Sequence, residues 1–440
     1  GVLHCQGDGQ RPGRPVLPES WTAGESALPQ PDALVLGAGA VGLCCACALA
    51  ERGLRVAVLE RDRPGAGASW GNAGWVVPSH SVPLAEPGAL RRGLRWLVDP
   101  ASPLYVPPRA DRALWGWLWR FRKSSTPAHV LRALPCLVRL QRRSLQLYQD
   151  LVNRGLEFGF SRAGSLSVFL DPREYRSFLG QLDLLREQGI SAEVLEGDAV
   201  RAREPLLRQE VAGGVYFPED AHLDPARLVR ALAEYAGQLG VQVRTGCPGR
   251  AVRRHGRGVE VDLGENKLYP RWLVVAAGAW STPLLRAAGL RLPVLPAKGY
   301  SVTLTARPTP EAPVMLSEAR VAVTPLSGPD GARLRLAGTL ELGVWEGGVN
   351  PRRVEAIRRA GARYLQVDPE GGEVWTGLRP CTPDGLPVVG RPSGWDSLVL
   401  ATGHGTLGIS LAPVTGELVA SVVAGQEAQD LELLSPDRFR

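Results

Sequence analysis

An α/β architecture, with a parallel nucleotide-binding sheet interleaved with a second α+β domain, is predicted by three features of this sequence. Its 440 residues exceed the usual span of one hydrophobic core. Residues 31–60 set out a strand, a glycine-rich turn, a helix and a second strand in unbroken order. A further strand, glycine turn and helix stand near the other end, at 398–424, so the nucleotide-binding segments are far apart in the chain.

The first unit gives each residue type a task. Ala33-Leu34-Val35-Leu36 is a short apolar run of the kind found in fully buried parallel strands. In Gly37-Ala38-Gly39-Ala40-Val41-Gly42, Gly37 permits a tight turn, Gly39 lets backbone approach a pyrophosphate, and Gly42 lets helix and strand pack closely. The helix N-terminus that follows presents unpaired N–H groups to phosphate oxygens. Arg55–Glu60 is the second strand, and Glu60 at its end is placed to accept hydrogen bonds from free ribose hydroxyls. NAD and FAD both satisfy this unit.

Composition narrows the class. Hydrophobic residues make up 44% and charged residues 22%, as in an ordinary soluble enzyme. Only Lys123, Lys267 and Lys298 are lysine, so arginine supplies nearly all of the basic charge. The net charge of +7 is concentrated between Leu90 and Arg143, where the acids are Asp99 and Asp111 alone. That segment is either a solvated face or a surface for an anionic partner. The seven cysteines match neither a disulfide scaffold nor a zinc pattern, and no metal site or nucleic-acid partner is expected. Cys44, Cys45 and Cys47 read as small residues on a buried helix, and a cytoplasmic location is expected. Residues 1–30 lack an apolar core and read as a tail, disordered or artificial in origin. The uncharged run 33–50 is long enough to raise a membrane span, but its spaced glycines fit strand, turn and helix better.

Directly after Glu60 come Arg61 and a small-residue stretch, Gly65-Ala66-Gly67-Ala68-Ser69-Trp70-Gly71-Asn72-Ala73-Gly74, able to lie along a long cofactor. This resembles the D-amino acid dehydrogenase branch of the glycine/D-amino acid oxidase superfamily. Members carry a similar segment beside the flavin. Three further segments carry the resemblance across 31–425: Trp272–Trp280, containing Ala277 and Gly278; Trp375–Gly385, with its Gly-Leu-Arg-Pro motif; and Leu398–Gly408, containing Gly403, His404, Gly405, Thr406, Leu407 and Gly408. The resemblance implies a Rossmann-like FAD-binding domain with an interleaved α+β substrate domain, of the D-amino acid oxidase/glycine oxidase kind. It implies non-covalent FAD, contacted by the first glycine turn, Glu60, Arg61, Ser69, Asn72–Gly74, Ala277, Gly278 and the 403–408 turn. Backbone N–H groups at a helix start after that last turn would stabilise negative charge on reduced flavin.

On the substrate side, the resemblance gives Arg379 the role of carboxylate anchor, suited to its fork of parallel donors. Tyr300 would add a carboxylate contact or shape the pocket, and Lys298 would sit near the flavin; a plain strand or surface role is the alternative for each. At His404 the backbone is expected to matter more than the imidazole, and His80 faces either pocket or solvent. Cys381 does not match a covalent flavin attachment segment. Glycine oxidases place a second arginine where this chain has Thr406 or Leu407, which argues against glycine as preferred substrate. The expected activity is FAD-dependent oxidative deamination of a small D-amino or imino acid, with a quinone or other carrier as acceptor. An oxidase using oxygen and a non-catalytic flavin-binding or membrane-adaptor module are the alternatives.

The expected partition assigns 31–88, 222–290 and 375–426 to the FAD-binding domain, helix-rich 89–221 and strand-rich 291–374 to the substrate domain, and 427–440 to a C-terminal tail. Asp224-Pro225 reads as the capped start of a helix. Residues 111–123 read as a helix capped by Asp111, its apolar aromatic face (Leu114, Trp117, Leu118, Phe121) bordered by arginines. That face either packs onto the substrate domain or makes a peripheral contact with an anionic membrane.

Overall fold

The computed structural model describes residues 31–87, 104–106, 111–328, 331–345 and 348–440. The expected tail at 1–30 and much of the basic segment before Asp111 lie outside the described residues.

Ala33–Leu36 and Val56–Leu59 pair in parallel at the centre of a six-stranded sheet. Its order is Val388–Gly390, Leu398–Thr402, Trp272–Val275, Ala33–Leu36, Val56–Leu59, Gln242–Arg244. Only the first pair is antiparallel. The central runs are buried throughout, which is why they are uniformly apolar and not alternating. Helix Ala40–Glu51 crosses between the first two strands and ends where Gly53 takes a left-handed φ of +83°. The uncharged run 33–50 is therefore strand, turn and helix, and no described helix is long and apolar enough to cross a membrane. Helix Ala412–Val423 lies against it so closely that a Cβ on Gly416 would stand 2.5 Å from the Cys44 carbonyl oxygen. Cys44, Cys45 and Cys47 fill this contact as buried thiols, and burial pushes Cys47 up to about 12.

A nine-stranded sheet forms the second layer. Its order runs Glu373–Cys381, Leu295–Thr305, Arg333–Leu342, Val321–Leu326, Val314–Leu316, Ser165–Phe169, Gly213–Phe217, Glu193–Glu196, with Leu104–Tyr105 beside Arg333–Leu342. Helix Pro351–Tyr364 covers one face, packing Val354, Ile357 and Tyr364 on Tyr300, Val302, Leu304 and Leu336. Asp224 caps helix Pro225–Gln238 through the N–H groups of Ala226 and Arg227, and Asp111 caps helix Arg112–Ser124 through Ala113.

Three features differ from the expected partition. Strand Glu373–Cys381 runs into the FAD-binding segment from 375, yet it is an edge of the nine-stranded sheet, paired with Leu295–Thr305 over its full length. The 89–221 segment supplies four strands of that sheet besides its helices. Its long helix, Pro127–Asn153, docks Ala133, Leu137, Leu140 and Tyr148 into the core around helix Ala40–Glu51, where the Tyr148 hydroxyl donates to the Ile409 carbonyl at 2.7 Å. Residues 427–440 also pack back: Leu434 is fully buried and Arg438 pairs with Asp384 at 2.7 Å.

Gly416→Val would force the two helices apart. The expected loss is about 1–3 kcal/mol, the usual range for overpacking, read as a lower urea midpoint at unchanged slope.

Candidate active site

A cleft starts at the first glycine turn. Gly37 has φ +107°, and a Cβ there would meet the Ala276 carbonyl oxygen at 2.6 Å. A Cβ on Gly42 would stand 1.9 Å from the Gly37 carbonyl oxygen, so helix and turn touch backbone to backbone. By contrast a Cβ on Gly39 would meet only Ser69 Oγ, at 3.3 Å, which leaves Gly39 open to the cleft. The Ala40 N–H donates to Ser69 Oγ at 3.1 Å and ties the second loop to the helix start. Glu60 accepts from the N–H groups of Ala38 and Asp62, at 2.8 and 3.0 Å, which orients its carboxylate at the cleft edge. Beyond it the Arg61 guanidinium lies 3.9 Å over the Trp280 ring.

From there the cleft passes Gly67, Ala68, Ser69 and Asn72 on one side and Ala276, Ala277 and Gly278 on the other. It ends among Arg379, Pro380, Thr402, His404, Gly405, Gly408 and Ile409. Val41 also lines it, while Gly42, Ala73, Gly74, Gly403, Thr406 and Leu407, expected at the cofactor, are not among the lining residues. Asn72 Oδ1 accepts from Gly74 N–H at 2.9 Å, and a Cβ on Gly74 would collide with the Leu223 carbonyl oxygen at 2.1 Å. Sequence reading missed Gly249, Arg250, Pro283 and Leu284, which also line the cleft. They carry no motif and reach the cleft only because their strands pair beside Ala33–Leu36 and Val56–Leu59.

The far turn corrects one expectation. Helix Ala412–Val423 does not open at the glycines but four residues beyond Gly408. The N–H groups of Gly405 and Leu407 are spent on the carbonyls of Pro380 and His404, at 2.7 and 2.8 Å. His404 Nε2 lies 2.9 Å from Thr415 Oγ1, whose hydroxyl donates to the Leu411 carbonyl, so Nε2 is the protonated nitrogen. Burial lowers this histidine to about 4, and it stays neutral as a brace for the turn.

Strand parity decides the substrate end. Arg379 pairs with Ala297 and therefore shares the sheet face of Gly299 and Ser301. A Cβ on Gly299 would stand 1.5 Å from Arg379 Nη1: only glycine leaves room for the guanidinium. That Nη1 is buried without an acceptor, and Ser301 Oγ on the same face is likewise buried and unpartnered. Burial lowers the Arg379 pKa, and no carboxylate offsets it among the described residues. Lys298 and Tyr300 point to the opposite face. Lys298 Nζ donates to the Gly348 carbonyl at 2.6 Å, and the Tyr300 hydroxyl donates to Glu341 Oε2 at 2.5 Å. The structure does not bring these two to the cleft. His80 does not line it either; its Nδ1 lies 2.8 Å from Ser79 Oγ and its ring packs edge-on to Trp75. Cys381 does reach the far turn, but burial pushes its thiol up to about 12.

A cleft that runs from an acid placed for ribose, past a glycine turn open to a pyrophosphate, to the half-buried Arg379 fits a cofactor longer than one nucleotide. Fold and site together define an FAD-dependent oxidoreductase. The chain belongs to the DAO family of FAD dependent oxidoreductases, whose pattern matches residues 32–422. It is 36% identical to a D-amino acid dehydrogenase of Methylobacterium nodulans, over 89% of this chain and 95% of the relative. A D-amino acid dehydrogenase of Bradyrhizobium diazoefficiens is 33% identical, over 92% of this chain and 98% of its own. Among solved structures, glycine oxidase from Geobacillus kaustophilus superposes with a TM-score of 0.74 at 26% identity, covering 92% of this chain and 98% of that one.

Gly39→Leu would fill the space left for the pyrophosphate. The purified variant is expected to be nearly colourless, its flavin content at limiting FAD down by about tenfold or more, equivalent to 1.4 kcal/mol of binding. Absorbance at the flavin maximum against protein concentration checks this.

Proposed function

We propose that this enzyme oxidises the Cα–N bond of a small D-amino or imino acid. The observation that carries the proposal is Arg379: a half-buried side chain lining the cofactor cleft, its Nη1 withdrawn from solvent without an acceptor, with no carboxylate partner among the described residues. Such a cation suits a substrate carboxylate, bound through two parallel hydrogen bonds. Ser301 Oγ supplies a further polar group on the same face. The relatives that are D-amino acid dehydrogenases support the same substrate class.

In this reading Glu60, Gly39, Ala40 and Ser69 hold the FAD, non-covalently, and Arg379 turns the substrate so that its Cα–H faces the isoalloxazine. Bound FAD supplies the hydride acceptor. The substrate enters as the neutral amine, its ammonium proton lost to water, so no side-chain base is needed. Loss of hydride from Cα of the neutral amine leaves an iminium, which for a primary amino acid water hydrolyses to the 2-oxo acid and ammonium. The resemblance sets Thr406 or Leu407 at the position where glycine oxidases place a second arginine, and we therefore favour substrates larger than glycine. The reading also keeps the proposed division into 31–88, 222–290 and 375–426 for cofactor and 89–221 and 291–374 for substrate, with strand Glu373–Cys381 joining the two.

For the acceptor we propose a quinone or electron carrier, reached at a membrane surface through helix Arg112–Ser124. Leu114 and Trp117 of this helix are buried against Leu295, Leu342 and Cys381, and the Trp117 indole N–H donates to the Cys381 carbonyl at 3.0 Å. The contact face is therefore the other one, where Trp115 and Trp119 are 63% and 55% exposed among Arg112, Arg120, Arg122 and Lys123. Aromatic rings beside cations suit an anionic headgroup layer.

Arg379→Ala is expected to retain flavin while raising the substrate concentration for half-reduction roughly 30- to 4,000-fold, the equivalent of about 2–5 kcal/mol. Gly299→Ala should act in the same direction by displacing the guanidinium. Anaerobic flavin bleaching with a panel of D-, L- and N-methyl amino acids and prolines measures both, and a change below about threefold at Arg379 would assign the carboxylate elsewhere. Separately, the protein should co-sediment with anionic vesicles at low salt and be released at high salt. Changing Trp115, Trp119, Arg120 and Arg122 together should abolish that binding while reduction of soluble dyes persists.

A further inference from the structure

A second arginine occupies the cofactor-facing side of the nine-stranded sheet. Arg335 pairs with Thr303, and Thr303, Ser301 and Gly299 alternate onto the face that carries Arg379. Arg335 is 4% exposed. Its Nη1 donates to the carbonyls of Asn72 and Trp70, at 2.9 and 3.3 Å, and its Nε donates to Thr303 Oγ1 at 3.0 Å. The guanidinium thus grips the backbone of the loop whose Asn72 lines the cleft.

Its partners are neutral. The acids that act on it from a distance are Asp224 and Glu373. Asp224 is taken up by Arg333, at 3.0 Å, and by the N–H groups it caps; Glu373 is exposed at the end of the edge strand. Arg333 is the further cation nearby, and burial is the main cause of a lowered Arg335 pKa. A guanidinium nevertheless stays protonated in proteins. The result is a permanent positive charge, withdrawn from solvent, one loop's thickness behind the flavin-lining segment.

We propose that Arg335 is a positioning residue that also raises the reduction potential of the flavin: it fixes the Trp70–Asn72 backbone, and its charge favours the reduced cofactor. The reason is electrostatic balance. Acceptance of a hydride, two electrons and one proton, adds one negative charge to the isoalloxazine. A fixed cation in a poorly screened site stabilises that charge without having to reorganise. The inference rests on FAD as cofactor and is independent of the substrate proposed above.

The test is an anaerobic equilibrium titration of flavin-loaded enzyme against a reference dye, with no amino acid present. Wild type, Arg335→Lys, Arg335→Gln and Thr303→Asp are compared, with flavin content measured by absorbance. Lysine keeps the charge but loses the fork of contacts. Glutamine loses the charge, and aspartate at 303 neutralises it while leaving the arginine in place. The Gln and Asp variants are expected to shift the reduced-to-oxidised ratio at least about tenfold toward oxidised flavin, or about 30 mV for a two-electron couple, and Lys to stay within about threefold of wild type. A wild-type ratio in Gln or Asp overturns the electrostatic role, as does a Lys variant that falls as far as Gln. Loss of flavin from both Gln and Asp would make Arg335 a clamp alone and overturn it too. A wrong substrate assignment leaves the titration unchanged, and a wrong cofactor would show as colourless wild-type protein.

Discussion

Where the first helix meets its strand, backbone passes backbone inside ordinary contact distance: the Gly37 carbonyl oxygen occupies the place of a Cβ on Gly42. Much of the molecule is referred to that contact. It sets helix Ala40–Glu51 onto the sheet with its first N–H groups facing the cleft. It leaves the Ala276 carbonyl 2.6 Å from where a Gly37 Cβ would be, and so places the strand Trp272–Val275 and the residues that follow it. The same helix then receives Gly416 of the C-terminal helix against Cys44, which brings a segment from the far end of the chain to the cofactor. A side chain at any of these glycines would act on the cleft through the backbone, before any contact with a ligand was lost.

The substrate end obeys a different constraint, the two-residue alternation of a strand. Gly299 and Ser301 look toward the cleft while Lys298 and Tyr300 look toward helix Pro351–Tyr364, where Glu341 and the Gly348 carbonyl engage them. Alternation alone makes Lys298 and Tyr300 companions, but it does not say which face they share. The choice is made by the neighbouring strand: pairing of Ala297 with Arg379 puts the guanidinium on the odd-numbered face. That pairing joins residues some eighty positions apart, and no local pattern encodes it. Arg335 was hidden for a related reason. It is one arginine in a chain rich in them, marked out only by the loop that folds against it.

Much of the cofactor half was legible because its signals are local. Strand, turn, helix, strand and acid follow one another within thirty residues, and Asp111 and Asp224 announce their helices by capping chemistry. What could not be read was docking. Helix Pro127–Asn153 is amphipathic wherever it lies, and only the fold shows that its apolar side, with Tyr148, closes the core above the nucleotide sheet. Strand Glu373–Cys381 carries a motif read as belonging to the cofactor segments, yet it hydrogen-bonds into the other sheet. The motif arginine is held by the nine-stranded sheet and lines the cleft.

Placed together, Arg379 and Arg335 give one face of one sheet two cations, the first half-buried beside the cleft and the second buried, whose direct contacts, among the described residues, include no carboxylate. Burying charge in this way is unfavourable unless something negative arrives. In a structural ion pair the fold itself would supply the acid, as Asp224 does for Arg333 and Glu341 does for Arg353. At Arg335 the fold supplies two carbonyls and a hydroxyl instead, which orient the guanidinium without neutralising it, and at Arg379 it leaves Nη1 without an acceptor. On the proposed reading, the negative charge that would complete the site comes from the reaction: a substrate carboxylate at Arg379, present from binding onward, and the charge added to the flavin near Arg335, present only after hydride has moved. A cation answered by the first favours binding, whereas one answered by the second favours the electron transfer itself. If both proposals hold, the sheet separates two kinds of recognition by placing its arginines on different strands of a single face.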